Sequence, residues 1–202
     1  GGAPLGGMVL ADGIFQGSGY EEALAVIRRA YALGVLYFDT APLYGEGRSE
    51  VRYGRVLGDF QRDSYAISTK VSRVLRPENP DDLAPYSADG IPHYTYDFDF
   101  SAKGVQASLD SSLERLGLDV VDILFVHDSD LKDQHPDENF IEGLEAASEL
   151  RAQGVVKAIG MGMNVWERTG RMVERFDLDY LLLAGRYTLL EQSALPEFLP
   201  LC

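Results

Sequence analysis

Five polar residues of the sequence carry side chains that could act together in catalysis. Asp39, Lys70 and His127 each close a short apolar run, Asn164 follows another, and Tyr44 lies five residues after Asp39. Short apolar runs that end in a polar residue are typical of buried strands in α/β proteins. Because parallel strands place their carboxyl ends along one edge of the sheet, we expect these side chains to converge there.

The chemistry of this set follows from the ordinary acid–base behaviour of its members. A tyrosine hydroxyl titrates near ~10 and is a poor acid or base at neutral pH. A lysine ammonium beside Tyr44 would favour the phenolate, and Asp39 would hold Lys70 charged and oriented. His127 could hydrogen-bond a substrate oxygen. Together they predict a site that moves a proton on or off a carbonyl or alcohol oxygen while a hydride moves elsewhere.

Taken singly, each residue also has a purely structural interpretation. Asp39 could cap a loop, Tyr44 could pack beside Gly45, and His127 could be a satisfied core histidine. Asn164 is a plausible helix N-cap. The joint occurrence of these residues at successive strand ends favours the catalytic interpretation.

The elements that must position these residues alternate along the chain. Helical periodicity is expected over 18–34, 49–57, 101–117, 137–153 and 165–176, and a last helix from about 191. Strands are expected over 35–39, 65–70, 120–126, 155–161 and 180–184, with another at 1–7. Ser18 with Glu21 has capping-box spacing, and Ser101 can cap the third helix.

Near-continuous apolar strands separated by helices predict a parallel sheet and hence the α/β class. Two closures are compatible with this alternation, an open doubly wound sheet and a (β/α)8 barrel. The pattern contains roughly six βα units, whereas a barrel needs eight and about 250 residues. We therefore expect either an open sheet or a barrel whose last two units lie beyond Cys202.

Residues 71–100 interrupt the alternation with four prolines and a cluster of aromatic residues. A long loop of this kind is usually a functional lid or a disordered segment. Its aromatic residues favour a folded lid over the substrate. Because the alternation resumes after it, residues 1–202 are expected to form a single domain.

Composition excludes several classes of function. The 202 residues are 46% hydrophobic, enough for a full core without disulfides or metal, and their net charge of −14 disfavours nucleic-acid and membrane partners. Cys202 is the only cysteine, which fits a reducing compartment, and no signal peptide or membrane span is expected. A cytoplasmic protein that acts on a small molecule, with no site metal, is predicted, and its oligomeric state stays open.

Three segments resemble motifs of the aldo-keto reductase superfamily. Phe38-Asp-Thr-Ala-Pro-Leu-Tyr-Gly45 is similar to the family's first signature, Ser68-Thr-Lys70 to its lysine strand, and Leu124-Phe-Val-His127 to its histidine strand. Ser111-Ser-Leu-Glu-Arg-Leu-Gly-Leu-Asp119 and Arg186-Tyr-Thr-Leu-Leu190 resemble the aldose dehydrogenase branch, to which pyridoxal 4-dehydrogenase is close.

The resemblance implies a (β/α)8 barrel, apparently truncated after about six βα units, that binds NAD or NADP. It implies a catalytic tetrad with cofactor contacts beside it. The tetrad would be Asp39, Tyr44, Lys70 and His127, and the cofactor contacts Gly2, Ala3, Asp39 and Asn164.

The reaction that the resemblance implies is oxidation of an aldose at its anomeric carbon to a lactone, with Tyr44 as the base. Oxidation of pyridoxal, or reduction of aldehydes and ketones, would use the same tetrad. A regulatory barrel that binds the cofactor and a phosphosugar isomerase on an unrelated barrel are alternatives of other classes. The net charge of −14 and the lack of a visible phosphate site argue against the isomerase.

Overall fold

A computed structural model describes residues 1–7, 17–79, 87–128 and 135–202. Its helices and strands in chain order are α1 (Tyr20–Ala32), β1 (Tyr37–Asp39), α2 (Arg48–Leu57), β2 (Ala66–Val71), β3 (Arg73–Pro77), β4 (Tyr94–Phe98), α3 (Ala102–Leu116), β5 (Ile123–Asp128), α4 (Asp137–Ala152), β6 (Ala158–Met163), α5 (Trp166–Val173), β7 (Tyr180–Leu183) and α6 (Phe198–Leu201). None of the helices in these ranges combines the length and the apolar character needed to cross a bilayer.

Five strands form one parallel sheet in the order β1-β2-β5-β6-β7. Strands that follow one another in the sheet are joined through helices, and these helices pack against the sheet and against each other. The predicted α/β class is confirmed, and so is the succession of parallel strands and helices that a truncated (β/α)8 barrel would have. The described residues contain five parallel strands, one fewer than expected.

The strands alternate between two faces, as the period of two requires. The outer face lies against the helices and forms the hydrophobic core, with Phe38, Ile67, Leu124 and Ile159 among its members. The inner face carries the neighbours of these residues, including Asp39, Lys70 and His127. The alternation thus sends every candidate catalytic side chain of the strands to the same side of the sheet.

Packing on the inner face depends on one glycine. A β-carbon at Gly160 would collide with the Tyr180 carbonyl oxygen and lie 2.8 Å from the Phe125 ring. The Phe125 ring therefore fills space that a side chain on β6 would occupy, and it lies 6.0 Å from the Lys70 ammonium. The ring of Phe125 thus packs over Gly160 on the face of the sheet that carries Lys70, its partner in the strand pairing.

Several local predictions are wrong. Residues 1–7 form a short 3-10 turn at Pro4–Gly6 instead of a strand. Helix α1 begins after Gly19 without a side-chain cap, so the capping box of Ser18 does not form. The strand expected over 35–39 begins only at Tyr37, and Val35 and Leu36 before it are about half exposed. The last helix, α6, begins at residue 198 instead of about 191.

Other local predictions are confirmed. The Ser101 hydroxyl accepts a hydrogen bond from the Gly104 amide at 3.1 Å and caps α3. Gly117 ends the same helix in the left-handed conformation at φ 62°, which glycine adopts without strain. The sequence signals at both ends of α3 were therefore sufficient to place it.

The segment predicted to be a loop at 71–100 contains an antiparallel pair, β3 with β4. Its start is marked by Ser72, which adopts a left-handed backbone at φ 91° and so turns the chain away from β2. The part of this segment at 80–86 lies outside the described residues. Whether it closes over a substrate stays a prediction.

At the amino end of the sheet, two aspartates join neighbouring strands. Asp122 accepts hydrogen bonds from the Ile67 amide at 2.9 Å, from Arg62 at 2.6 Å and from Lys157 at 2.8 Å. Asp179 repeats this device on the amide of Ile159, at 2.9 Å. Each carboxylate satisfies a strand amide that the parallel ladder leaves open.

Replacing Asp122 by Asn should lower the free energy of unfolding at pH 7 by about 2 kcal/mol, because charged hydrogen bonds are lost. Burial acts to raise the pKa of Asp122, but bonds from Lys157, the Ile67 amide and Arg62 bring it below its ordinary value. Its contribution is thus complete above the unfolded pKa of about 4 and is lost as pH falls through the lower folded pKa.

Urea unfolding at pH 7 and pH 2 measures both effects. Asp119→Asn, an exposed substitution three residues away, is the matched control and should be neutral. A difference between D122N and the native protein that is as large at pH 2 as at pH 7 would contradict this account.

Candidate active site

A buried ion pair between β1 and β2 is the centre of the candidate site. The Lys70 ammonium donates to both carboxylate oxygens of Asp39, at 2.7 and 2.9 Å, and to the Thr40 carbonyl oxygen at 2.7 Å. Lys70 is 1% exposed and Asp39 9% exposed. The three N–H donors of the ammonium are matched by three acceptors.

Two opposing effects act on the pKa of Lys70. Burial lowers the pKa of its ammonium, while the Asp39 carboxylate opposes this by its charge and its hydrogen bonds. Ser68 adds to the pair because its hydroxyl donates to Asp39 at 2.8 Å and lies 2.9 Å from the Tyr37 hydroxyl. Since the Ser68 proton goes to the carboxylate, Tyr37 is the donor of the second bond.

Tyr44 and His127 lie against this pair. The Lys70 ammonium is 4.7 Å from the centroid of the Tyr44 ring. The rings of Tyr44 and His127 meet edge to face, with centroids 6.1 Å apart and planes at 81°. The structure therefore brings the four predicted residues Asp39, Tyr44, Lys70 and His127 together, from positions up to 88 residues apart in the sequence.

Lys70 does not have the expected effect on the pKa of Tyr44. The pKa of Tyr44 is raised, foremost by burial and then by the negative charge of Asp39, and the Arg73 charge offsets only part of this. The donors of Lys70 are directed at Asp39 and Thr40, so the ammonium contacts the face of the ring. The prediction that Lys70 lowers this pKa is wrong for the geometry observed.

His127 is a neutral imidazole in this environment. Burial, the positive charge of Lys70 and the positive charge of Arg73 hold its pKa well below the ordinary value. Arg73 lies at the start of β3, 3.4 Å from Nδ1 of the ring and 3.2 Å from the His127 carbonyl oxygen. The Ser72 hydroxyl donates to the same carbonyl oxygen.

The predicted cofactor residues lie around this cluster. Gly2 is buried beside Asp39, where a β-carbon would lie 3.0 Å from the Asp39 carbonyl oxygen, and its own carbonyl accepts from Ser49 at 3.1 Å. Ala3 follows it and precedes the 3-10 turn. Asn164 is half-buried directly after β6, and α5 takes Val165 as its N-cap, so the capping role of Asn164 is not observed.

Gly162 lies on the inner face of β6, beside Lys70 and His127. Gly162 has no side chain, and a β-carbon there would lie 3.6 Å from Lys70 Cε and 3.7 Å from His127 Cδ2. Gly2, buried beside Asp39, and Asn164, half-buried directly after β6, are the other small or amide groups near the cluster. These residues fit a flat, partly polar ligand such as a nicotinamide ring. In the described ranges, no three His, Cys, Asp or Glu side chains are grouped as a metal would require.

Sequence reasoning missed three contributors to the site. Ser68 bridges Asp39 and Tyr37, and it could have been found from its inward position two residues before Lys70. Arg73 gave no sequence signal because the turn at Ser72 that returns it to His127 is not encoded by a glycine.

The third contributor is a second buried ion pair on the outer side of β2. Glu50 is fully buried and accepts from Arg115 at 2.7 Å and from Thr69 at 2.6 Å. It joins α2, α3 and the strand that carries Lys70. Arg115 belongs to the motif at 111–119, and nothing in the sequence indicates that Glu50 is its partner.

Replacing Lys70 by Met should lower the free energy of unfolding by about 3–5 kcal/mol, because it leaves the Asp39 carboxylate buried without a countercharge. The double variant K70M/D39N should be less destabilised than the sum of K70M and D39N. Urea unfolding of the four proteins measures the coupling.

An exposed ion pair provides the control cycle. Arg76 and Asp97 pair on the surface of the hairpin. The cycle of R76M and D97N should show no measurable coupling. Strict additivity in the Lys70–Asp39 cycle would contradict the interpretation of that pair as a buried, coupled unit.

The comparisons with known proteins agree with this geometry. A sequence model described as the aldo/keto reductase family matches residues 4–202. D-threo-aldose 1-dehydrogenase of a Pseudomonas species is 42% identical over 193 residues, 94% of this chain and 58% of that protein. Pyridoxal 4-dehydrogenase of Microbacterium luteolum is 36% identical over an alignment 219 residues long, which covers 98% of this chain and 61% of that protein.

A solved structure supports the fold. The holo form of an aldo-keto reductase from Bacillus halodurans superposes with a TM-score of 0.63 at 23% identity, covering 83% of this chain and 49% of that one. The chain thus spans 58% and 61% of the lengths of the two curated relatives. Because the family model covers nearly all of its residues and relatives above 30% identity cover more than nine-tenths of it, the chain belongs to the aldo-keto reductase family.

Proposed function

We propose that the protein oxidises an aldose at its anomeric carbon to a lactone with NAD or NADP. The observation that carries this proposal is the buried Asp39–Lys70 pair beneath the Tyr44 ring, with neutral His127 at the ring's edge. The similarity to D-threo-aldose 1-dehydrogenase supports the choice of an aldose.

In the proposed reaction, the anomeric hydroxyl loses its proton to the Tyr44 oxygen and the anomeric carbon loses a hydride. The C1–O bond then becomes the carbonyl of the lactone. A bound nicotinamide supplies the acceptor for the hydride. His127, as a neutral ring, donates a hydrogen bond to the sugar oxygen and so fixes its position.

The ion pair fixes the positions of its two side chains, and its opposite charges neutralise each other. Asp39 keeps Lys70 in place, and the ammonium lies against the face of Tyr44. Gly2, Ala3 and Asn164 would hold the nicotinamide, and Asp39 would lie beside it. The burial of Gly2 beside Asp39, and the position of Asn164 directly after β6, support this assignment.

A second candidate is the reverse chemistry, reduction of an aldehyde or ketone. It is favoured by the raised pKa of Tyr44, because a protonated hydroxyl at neutral pH is ready to act as an acid. Oxidation of pyridoxal, suggested by the relative of that name, would use the same proton transfer on an aromatic alcohol. Assays of the purified protein with aldoses, pyridoxal and simple aldehydes separate these substrates.

Replacing Tyr44 by Phe should lower kcat by about 10²–10⁴-fold, because the group that exchanges the proton is lost. Cofactor affinity, followed through Trp166 fluorescence, should stay nearly unchanged. Tyr31→Phe, which removes a hydroxyl bonded to Ser64 away from the site, is the matched control. Turnover retained in Y44F would remove Tyr44 from the mechanism.

The pH profile tests the protonation state of Tyr44. Its raised pKa means that the phenolate is scarce at neutral pH, so kcat/KM for oxidation should rise with pH without a plateau below about pH 10. No acid limb from His127 is expected near pH 6.5, since its pKa lies well below that value. A plateau near pH 7 would show that Tyr44 is not the titrating base.

A further inference from the structure

Arg73 is a buried cation that the proposed mechanism does not use. It is 4% exposed, at the first position of β3. Its Nη1 atom faces His127 in two ways, at 3.4 Å from ring atom Nδ1 and at 3.2 Å from the carbonyl oxygen. It therefore contacts both the ring and the backbone of the same histidine.

The hairpin of β3 and β4 holds Arg73 in this position. The guanidinium lies over the Phe98 ring at 4.5 Å and near the Tyr96 ring at 5.4 Å. Phe98 is also the residue opposite Arg73 in the strand pairing. Stacking of a guanidinium on aromatic faces is favourable and fixes the plane of its donors.

The backbone around Arg73 is equally constrained. Ser72 has the left-handed conformation, which directs the next residue back towards β5. The Ser72 hydroxyl donates to the His127 carbonyl oxygen, and the Ser108 hydroxyl donates to the Arg73 carbonyl oxygen at 3.1 Å. The position of the guanidinium is thus determined from both its backbone and its side chain.

A guanidinium can donate hydrogen bonds but cannot accept them. The ring atom that faces Arg73 must therefore present a lone pair. In a neutral imidazole only one nitrogen carries the proton, so a lone pair on Nδ1 leaves the proton on Nε2.

We propose that Arg73 is a positioning residue that selects the Nε2–H tautomer of His127 and so makes its Nε2 atom the donor to the substrate oxygen. The catalytic part of this inference rests on the proposed function, whereas the tautomer itself does not. The hairpin is part of the segment 71–100 that the sequence predicts to be a lid loop, and through Arg73 it contacts His127.

The charges around the ring support a neutral state. Burial, and after it the positive charges of Lys70 and Arg73, keep the pKa of His127 well below its ordinary value. A protonated ring would place a third positive charge among them. A neutral ring carries its proton on either Nδ1 or Nε2, and the contact with Arg73 favours the tautomer with the proton on Nε2.

The tautomer can be measured directly by two-bond ¹H–¹⁵N correlation spectra of protein labelled at histidine nitrogen. The chain contains three histidines, His93, His127 and His135, so the His127 signals can be assigned by comparison with H127N. We expect a protonated Nε2 and an unprotonated Nδ1 at pH 7. A protonated Nδ1 in the native protein would overturn the inference.

Variants of Arg73 test whether this residue determines the tautomer of His127. Arg73→Met removes the donor, and the ring should shift towards a mixture of tautomers or towards Nδ1–H. Arg73→Lys keeps a cation that only donates, so it should retain the native tautomer with an Nδ1 resonance between those of R73M and the native protein. Should R73M not fold, the R73K spectrum decides alone: the native tautomer with a shifted Nδ1 resonance supports the inference, and an unshifted Nδ1 resonance would show that residue 73 does not act on this atom and would overturn it.

Arg76→Met is the matched control. It removes a cation from the same strand, but one that is exposed and paired with Asp97. Both the His127 signals and the kinetics should stay as in the native protein. A change of tautomer in R76M equal to that in R73M would show that the hairpin as a whole, and not Arg73, is responsible.

The kinetic consequence is a fall in kcat of roughly 10- to 100-fold in R73M with a smaller change in KM, and partial rescue in R73K. If neither oxidation nor reduction is detected in the native protein, the proposed function fails while the spectra still decide the tautomer. If the native protein is active and R73M keeps both its tautomer and its kcat, the inference about Arg73 alone is wrong.

Discussion

The buried ion pair between Asp39 and Lys70 is the constraint on which the rest of the site depends. Two charges are held in a nearly dry interior, and such a pair persists only when the remaining donors and acceptors are also matched. The Thr40 carbonyl and the Ser68 hydroxyl supply that matching. Tyr44 then lies over a cation whose donors are already engaged.

This arrangement changes how the chemistry of the tyrosine is understood. The ammonium lies against the face of the ring, whereas burial and the negative charge of Asp39 raise the pKa of the phenol. Proton exchange at Tyr44 then depends more on desolvation than on a neighbouring cation. In a site closed by a ligand, removal of water would strengthen every remaining interaction.

Much of the fold and the site could be predicted from the sequence because the signals were local. Apolar runs closed by Asp39, Lys70 and His127 locate strand ends, and Ser101 with Gly117 locates a helix. These features depend on the period of side chains and on capping chemistry, both of which act over a few residues.

The features that could not be predicted depend on contacts between distant segments. The left-handed turn at Ser72 is not marked by glycine, and it produces the hairpin that was predicted to be a loop. The pKa of Tyr44 follows from burial, which no motif reports. The short turn at Pro4–Gly6 depends on close approach to the loop of Tyr44, where Gly6 and Gly45 leave no room for side chains.

The carboxylates of Asp122 and Asp179, which join strands at the amino end of the sheet, have a consequence for engineering. Their partners, such as Arg62 and Arg151, are separate from those of the ion pair at the other end. Substitutions at the two ends share no partner, so their effects on stability should combine independently. A library that randomises the loops at one rim could therefore vary ligand preference while the opposite rim keeps the scaffold folded.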